Sequence, residues 1–227
     1  MKISSIVCLA VAVSVPQIIQ AQGTTYLSNL EQPSAGSFAA GSNSWLAATF
    51  GTGTNAGGYV INSIQLAMSN ASGNPSGFQV RVYAGAGGGG YPGTLLGTLN
   101  GSLDPVTAGI YTYTPAAPLT LSISGPYDIV LTAGTAVGNG AYEWSVAGMS
   151  SYNPSGAWSS PGIIGGVLTS STGSLSSWIL HGSAFPQYAI DATAVPEPGV
   201  LSLFVLGGFL LVRHRRKAKA FYEKNNN

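Results

Sequence analysis

Ile64-Gln65-Leu66-Ala67-Met68, Phe78-Gln79-Val80-Arg81-Val82-Tyr83 and Leu119-Thr120-Leu121-Ser122-Ile123 are the stretches that decide the fold. In each, apolar residues return at every second position, the period of a half-buried β-strand with one face on a core and the other in water. Helical spacing is absent. Further strands are predicted at 45–50, 95–99, 110–114, 127–132, 142–146, 178–181 and 188–193, where β-branched and aromatic residues cluster. Turn-forming groups separate them: Asn70-Ala71-Ser72-Gly73-Asn74-Pro75, the glycine run 87–90, Asp104-Pro105 and Asn153-Pro154. Many short strands punctuated in this way predict an all-β domain over residues 22–194. The expected architecture is a two-sheet antiparallel β-sandwich, jelly-roll or immunoglobulin-like. A body of about 170 residues can bury a sufficient core without disulfides.

Composition agrees with a protein built for the outside of a cell. Charged residues make up 7% of the 227-residue chain, against roughly 25% in ordinary soluble domains. Glycine reaches 32 residues, so small uncharged polar groups must cover the surface. Between the two ends, Arg81 faces Glu31, Asp104, Asp128, Glu143 and Asp191, a net charge of −4 for the body. That balance excludes a nucleic-acid partner, which would need clustered Lys and Arg to neutralise phosphates. The one cysteine, Cys8, falls in the N-terminal apolar stretch, so the body can form neither a disulfide nor a thiolate metal site.

The two ends read as addresses. Residues 1–21 have the parts of a signal peptide: Lys2, an apolar run from Ile3 to Val15, and a less apolar close at Ile19-Gln20-Ala21. Cleavage after Ala21 by a signal peptidase is expected, with the secretion machinery as partner. At the other end, Pro196-Glu197-Pro198 is followed by an apolar run of thirteen residues, 200–212, and then by Arg213, Arg215, Arg216 and Lys217. The prolines hold the motif extended and stiff. The basic cluster acts as a stop that keeps residues 220–227 cytoplasmic. Thirteen helical residues span about 20 Å, short for a hydrocarbon core of about 30 Å, so the segment suits a transient tether in the inner membrane better than a permanent anchor.

Residues 195–219 resemble the PEP-CTERM sorting signal of Gram-negative bacteria that make exopolysaccharide. Tails of this kind are also described as an ice-binding protein C-terminal domain, a description that carries nothing over to the body. The resemblance implies that an exosortase, a membrane enzyme of transpeptidase-like action, recognises Pro196, Glu197 and Pro198 and removes or exchanges the tail. The destination it implies is the cell surface or the extracellular matrix. In the body, Phe78 to Tyr83, Tyr91-Pro92-Gly93-Thr94-Leu95-Leu96, Tyr111-Thr112-Tyr113-Thr114, Leu119-Thr120-Leu121 and Tyr142-Glu143-Trp144-Ser145 resemble a choice-anchor R type domain. Such modules occur with alternative C-terminal anchors and have no assigned activity. The sequence departs from that pattern at Ser124-Gly125-Pro126, where a more regular turn is expected.

Catalytic sets are not evident. His181 is the only histidine of the body, and no Gly-x-Ser-x-Gly elbow accompanies it. Asp128, Glu143 and Asp191 are the candidates for paired carboxylates, with nothing in the sequence to fix their separation. No zinc or calcium motif occurs, and the glycine run lacks the Gly-Lys-Ser or Gly-Lys-Thr ending of a phosphate loop, so neither metal nor cofactor is expected. Sugar stacking is the best ligand-binding idea, with Tyr83, Tyr91, Tyr113, Trp144, Trp158 and Trp178 as candidate platforms. The expectation is therefore a non-enzymatic exported surface or matrix protein. The alternative is a carbohydrate-binding module for the producer's own exopolysaccharide.

Overall fold

The computed structural model describes residues 23–86, 91–101, 104–149, 152–155, 157, 158 and 166–197. The expected signal peptide, the glycine run, Pro198, the apolar segment 200–212 and the basic cluster lie outside the described residues. The strands are β1 (Thr24–Ser28), β2 (Ser34–Ala40), β3 (Trp45–Gly51), β4 (Tyr59–Gly73), β5 (Gln79–Ala86), β6 (Tyr91–Gly101) and β7 (Gly109–Pro115). They continue with β8 (Thr120–Leu121), β9 (Pro126–Thr132), β10 (Gly140–Ala147), β11 (Val167–Ser170), β12 (Ile179–His181), β13 (Phe185–Pro186) and β14 (Tyr188–Ala194). A single 3-10 turn, Val137–Asn139, is the only helical piece among the described residues. None of them forms a helix long and apolar enough to cross a membrane.

The strands join in one antiparallel hydrogen-bonded sheet, in the order β1-β14-β4-β7-β6-β5-β9-β3-β11-β12, with β10 attached to β4, β2 and β13, and β8 to β4. The sheet curls into a half-barrel, and one core fills the concave side. Leu46, Ala48 and Phe50 of β3, Val80 and Val82 of β5, and Tyr127, Ile129 and Leu131 of β9 face Ile64, Leu66 and Met68 of β4, Tyr142 and Trp144 of β10, and Tyr188 and Ile190 of β14. Each large side chain so buried contributes about 1.5–3 kcal/mol. Two of the buried polar ends are paired across the core: Tyr188 Oη donates to the Thr49 carbonyl at 3.3 Å, and Trp144 Nε1 to that of Gln187 at 3.0 Å.

β4 explains how a fifteen-residue strand serves both ends of the core. Tyr59 and Ile61 point inward, as do Ile64, Leu66 and Met68, although strict alternation would send one of these sets outward. Asn62 resolves the conflict. Opposite β14, Ser63 pairs with Asp191 and Ile61 with Ala192, leaving Asn62 as the extra residue of a bulge. Its side chain donates to Thr193 Oγ1 at 2.9 Å. β1 bulges likewise at Tyr26, which brings Leu27 fully inside.

Two sequence expectations change here. The group 70–75 was expected to turn, yet β4 runs on through Gly73, because β10 pairs with it there, Gly140 opposite Gly73 and Ala141 opposite Ser72. Around Leu119 to Ile123 only Thr120 and Leu121 are a strand, because they pair with no more than the first two residues of β4. Ile123 stays 46% exposed.

Candidate functional site

Both ends of the described body emerge side by side. β1 is antiparallel to β14 with Thr24 opposite Ala192, so Gly23 and Val195 sit at one end of the molecule. Hydroxyls tie these strands through Asp191, which accepts from Thr25 Oγ1 at 2.6 Å and from Ser63 Oγ at 2.9 Å. The outer edge of β1 is covered in turn, as Asn153 and Ser155 donate backbone N–H groups to the carbonyls of Ser28 and Tyr26.

At the same end the chain makes a tight turn from Asn55 to Tyr59, closed by Gly58 N–H on the Asn55 carbonyl at 2.8 Å. The last residue of the fold is fastened to it. Val195 N–H donates to the Gly58 carbonyl at 3.0 Å, and Asn55 Nδ2 donates to the Val195 carbonyl at 2.8 Å and to that of Gly58 at 2.7 Å. Glycine is required at 57 by close approach: a Cβ there would stand 2.4 Å from the Val195 carbonyl oxygen. Gly58 is required twice over, by φ of +76° and by a Cβ that would meet the Leu121 carbonyl oxygen at 2.4 Å. Pro196 and Glu197 follow directly and are exposed.

Beside this turn lies an open groove of about 370 Å³, lined by Gly51, Thr52, Thr54, Ser124, Gly125, Pro126 and Ala157. Thr52 Oγ1 donates to the Ser122 carbonyl at 2.7 Å and accepts from Gly125 N–H at 3.1 Å, which fixes the entry to β9. Ser124 and Ala157 are the two non-glycine residues with positive φ among the described residues, at 49° and 63°. Both line this groove. The irregular turn noted at Ser124-Gly125-Pro126 is thus a left-handed corner held by Thr52. Backbone strain of this kind persists only where surrounding bonds impose it.

The aromatic candidates divide by burial. Trp158 is 2% exposed, in a cluster with Tyr26 at 5.0 Å, Tyr59 at 5.1 Å and Phe50 at 5.7 Å between ring centroids. Trp144 is wholly buried, and Tyr83 and Tyr113 nearly so. These four rings offer no open face to a sugar, which corrects the expectation for Tyr83, Tyr113, Trp144 and Trp158 as stacking platforms. The physical reason is that core packing claims them first. Trp178 is half-buried against a second, smaller cluster of Ala47, Tyr83, Val130 and Leu168. Tyr91, at the start of β6, is 42% exposed.

The three candidate carboxylates each have their own partners. Glu143 on β10 accepts from Ser37 Oγ at 2.9 Å, and Asp191 is held by Thr25 and Ser63 as described. Asp128 on β9 is fully buried, with one oxygen accepting from Thr49 Oγ1 at 2.6 Å and the other without a hydrogen-bond partner. Burial raises its pKa to about 7, against the opposing pull of the Thr49 hydroxyl. His181 shares a hydrogen bond of 3.0 Å with Thr169 Oγ1 and packs on the Phe38 ring. Among the described residues, no group of three or more His, Cys, Asp or Glu side chains is placed to hold a metal ion. No protein-family model matches the chain, and no curated protein matches it in sequence.

Proposed function

We propose that the chain is an exported, non-enzymatic surface or extracellular-matrix protein whose tail is handled by an exosortase-like membrane enzyme, with Pro196, Glu197 and Pro198 as the recognised motif. The observation that carries the reading is the placement of the two chain ends. The runs 3–15 and 200–212 are both apolar and each is flanked by cations, Lys2 before the first and Arg213 to Lys217 after the second. A body attached to the inner membrane at both ends must send its first and last strands out on one side, and β1 and β14 do so as neighbours. Basic residues on the far side of each apolar segment then leave the body outside the cytoplasm. Cleavage after Ala21 would free one attachment and the sorting step the other.

In this reading the curled sheet is a two-layered sandwich of the choice-anchor R kind, continuous along the side where β6 pairs with β7. Its job is to be displayed on the cell surface or released into the matrix. The reading is tested in a host that carries the sorting enzyme. Replacing Pro196, Glu197 and Pro198 by Ala should accumulate a longer, membrane-bound form; wild-type processing of that variant would overturn it. A second reading, a module binding the producer's exopolysaccharide, is supported by the exposed Tyr91 ring and by Thr54 and Ser124 in the groove.

A further inference from the structure

We infer that the Asn55–Gly58 turn is a cradle that presents the sorting motif, and that the enzyme acting on Pro196-Glu197-Pro198 contacts the end face of the folded body around it. The inference rests on the sorting reading above and adds to it a contact surface on the body.

The last docked residue is Val195, and the apolar segment begins at residue 200, so four residues separate them. At about 3.3 Å per extended residue, the five steps from Val195 to residue 200 span at most roughly 17 Å. A small domain is roughly 30 Å across. An enzyme that reaches Glu197 in so short a space must therefore touch the body beside it. No flexible linker intervenes, because Pro196 directly follows a residue hydrogen-bonded on both its N–H and its carbonyl.

Of the seven described residues that line the groove next to the cradle, none is charged, and Thr52, Thr54 and Ser124 carry hydroxyls. Lipid headgroups are held by Lys and Arg, which this lining lacks, so it is not built to bind an anionic membrane. A protein partner can approach without stripping water from a charge. Asn55 fixes the Val195 carbonyl and Gly57 leaves room for it, so the peptide entering the motif loses little further freedom when the enzyme takes it up.

Pulse-chase processing of the full chain in a host with the sorting enzyme tests this. Three variants are compared: Gly57→Ala, whose added methyl pushes Val195 off the turn; a Gly-Ser-Gly-Ser insertion between Val195 and Pro196; and the triple Ala replacement of the motif. The first two should slow conversion to the processed form by about fivefold, the scale of one net hydrogen bond lost. Their bodies should stay protease-resistant. Wild-type or faster processing of the insertion variant would overturn the cradle, even where Gly57→Ala alone fails to fold. If the triple Ala variant is also processed normally, the sorting reading fails with it. If that variant is blocked while the insertion is processed normally, only the cradle fails.

Discussion

Asp128→Asn should turn a pH-sensitive protein into a pH-insensitive one over the range 4 to 8. Asp128 lies opposite Thr49 on one side and Tyr83 on the other, in the middle of the sheet, with one carboxyl oxygen unpartnered. Removal from water holds its pKa at about 7, against 3.8 for an ordinary aspartate. The folded protein therefore keeps a proton that the unfolded chain has already lost. The stabilisation this brings is complete below pH 3.8 and disappears as pH rises through 7, because stability falls wherever the native state binds more protons. Roughly three pH decades at about 1.4 kcal/mol each amount to ~4 kcal/mol. That is a large share of the 5–15 kcal/mol that typically holds a domain together. Asn keeps the acceptor for the Thr49 hydroxyl and carries no charge at any pH. Urea unfolding of residues 22–197, followed by tryptophan fluorescence, should give similar stabilities for the two proteins at pH 4 and a more stable Asn variant at pH 8. Parallel curves for wild type and variant across this range would refute the reasoning.

Trp158→Ala should cost about 3–5 kcal/mol in the same unfolding assay, since it removes the ring shared by Tyr26, Phe50 and Tyr59. Gly58→Ala should cost about 1–3 kcal/mol through its left-handed φ and the clash with Leu121. Gly138→Ala, whose Cβ would meet nothing within 4 Å, should change the midpoint little. Tyr91→Ser should leave stability within about 0.5 kcal/mol of wild type, as exposed positions do. If the body binds polysaccharide through that ring, the substitution should also abolish retardation in affinity electrophoresis.

Strand positions were legible where large apolar residues carried the alternation. β3, β9, β10 and β14 fall within a residue or two of their predicted spans. β2 left no such trace, because Ser34 to Ala40 holds one large side chain, Phe38, and borrows its order from β10. The bulge at Asn62 hid the continuity of β4, since a change of parity reads locally as the end of a strand. Alternation also says which residues share a face without saying whether that face is wet. Asp128 sits between Tyr127 and Ile129 and would be expected in solvent, but its face carries a cluster of its own with Trp45 and Trp178 packed against it. The cradle was out of reach for a different reason. Asn55 and Val195 are 140 residues apart, and neither is unusual in its local sequence.

The pairing of β14 also has a mechanical side. A body held at Val195 and dragged by flowing water would be loaded along β14, which is bonded to β1 over four register positions and to β4 over seven. Antiparallel ladder bonds lie across the strand, so a pull along its axis strains them together instead of one after another. Survival under such a pull is set by the rate of forced unfolding. The strand that leads to the tail is thus the one best placed to bear the tension of a tether.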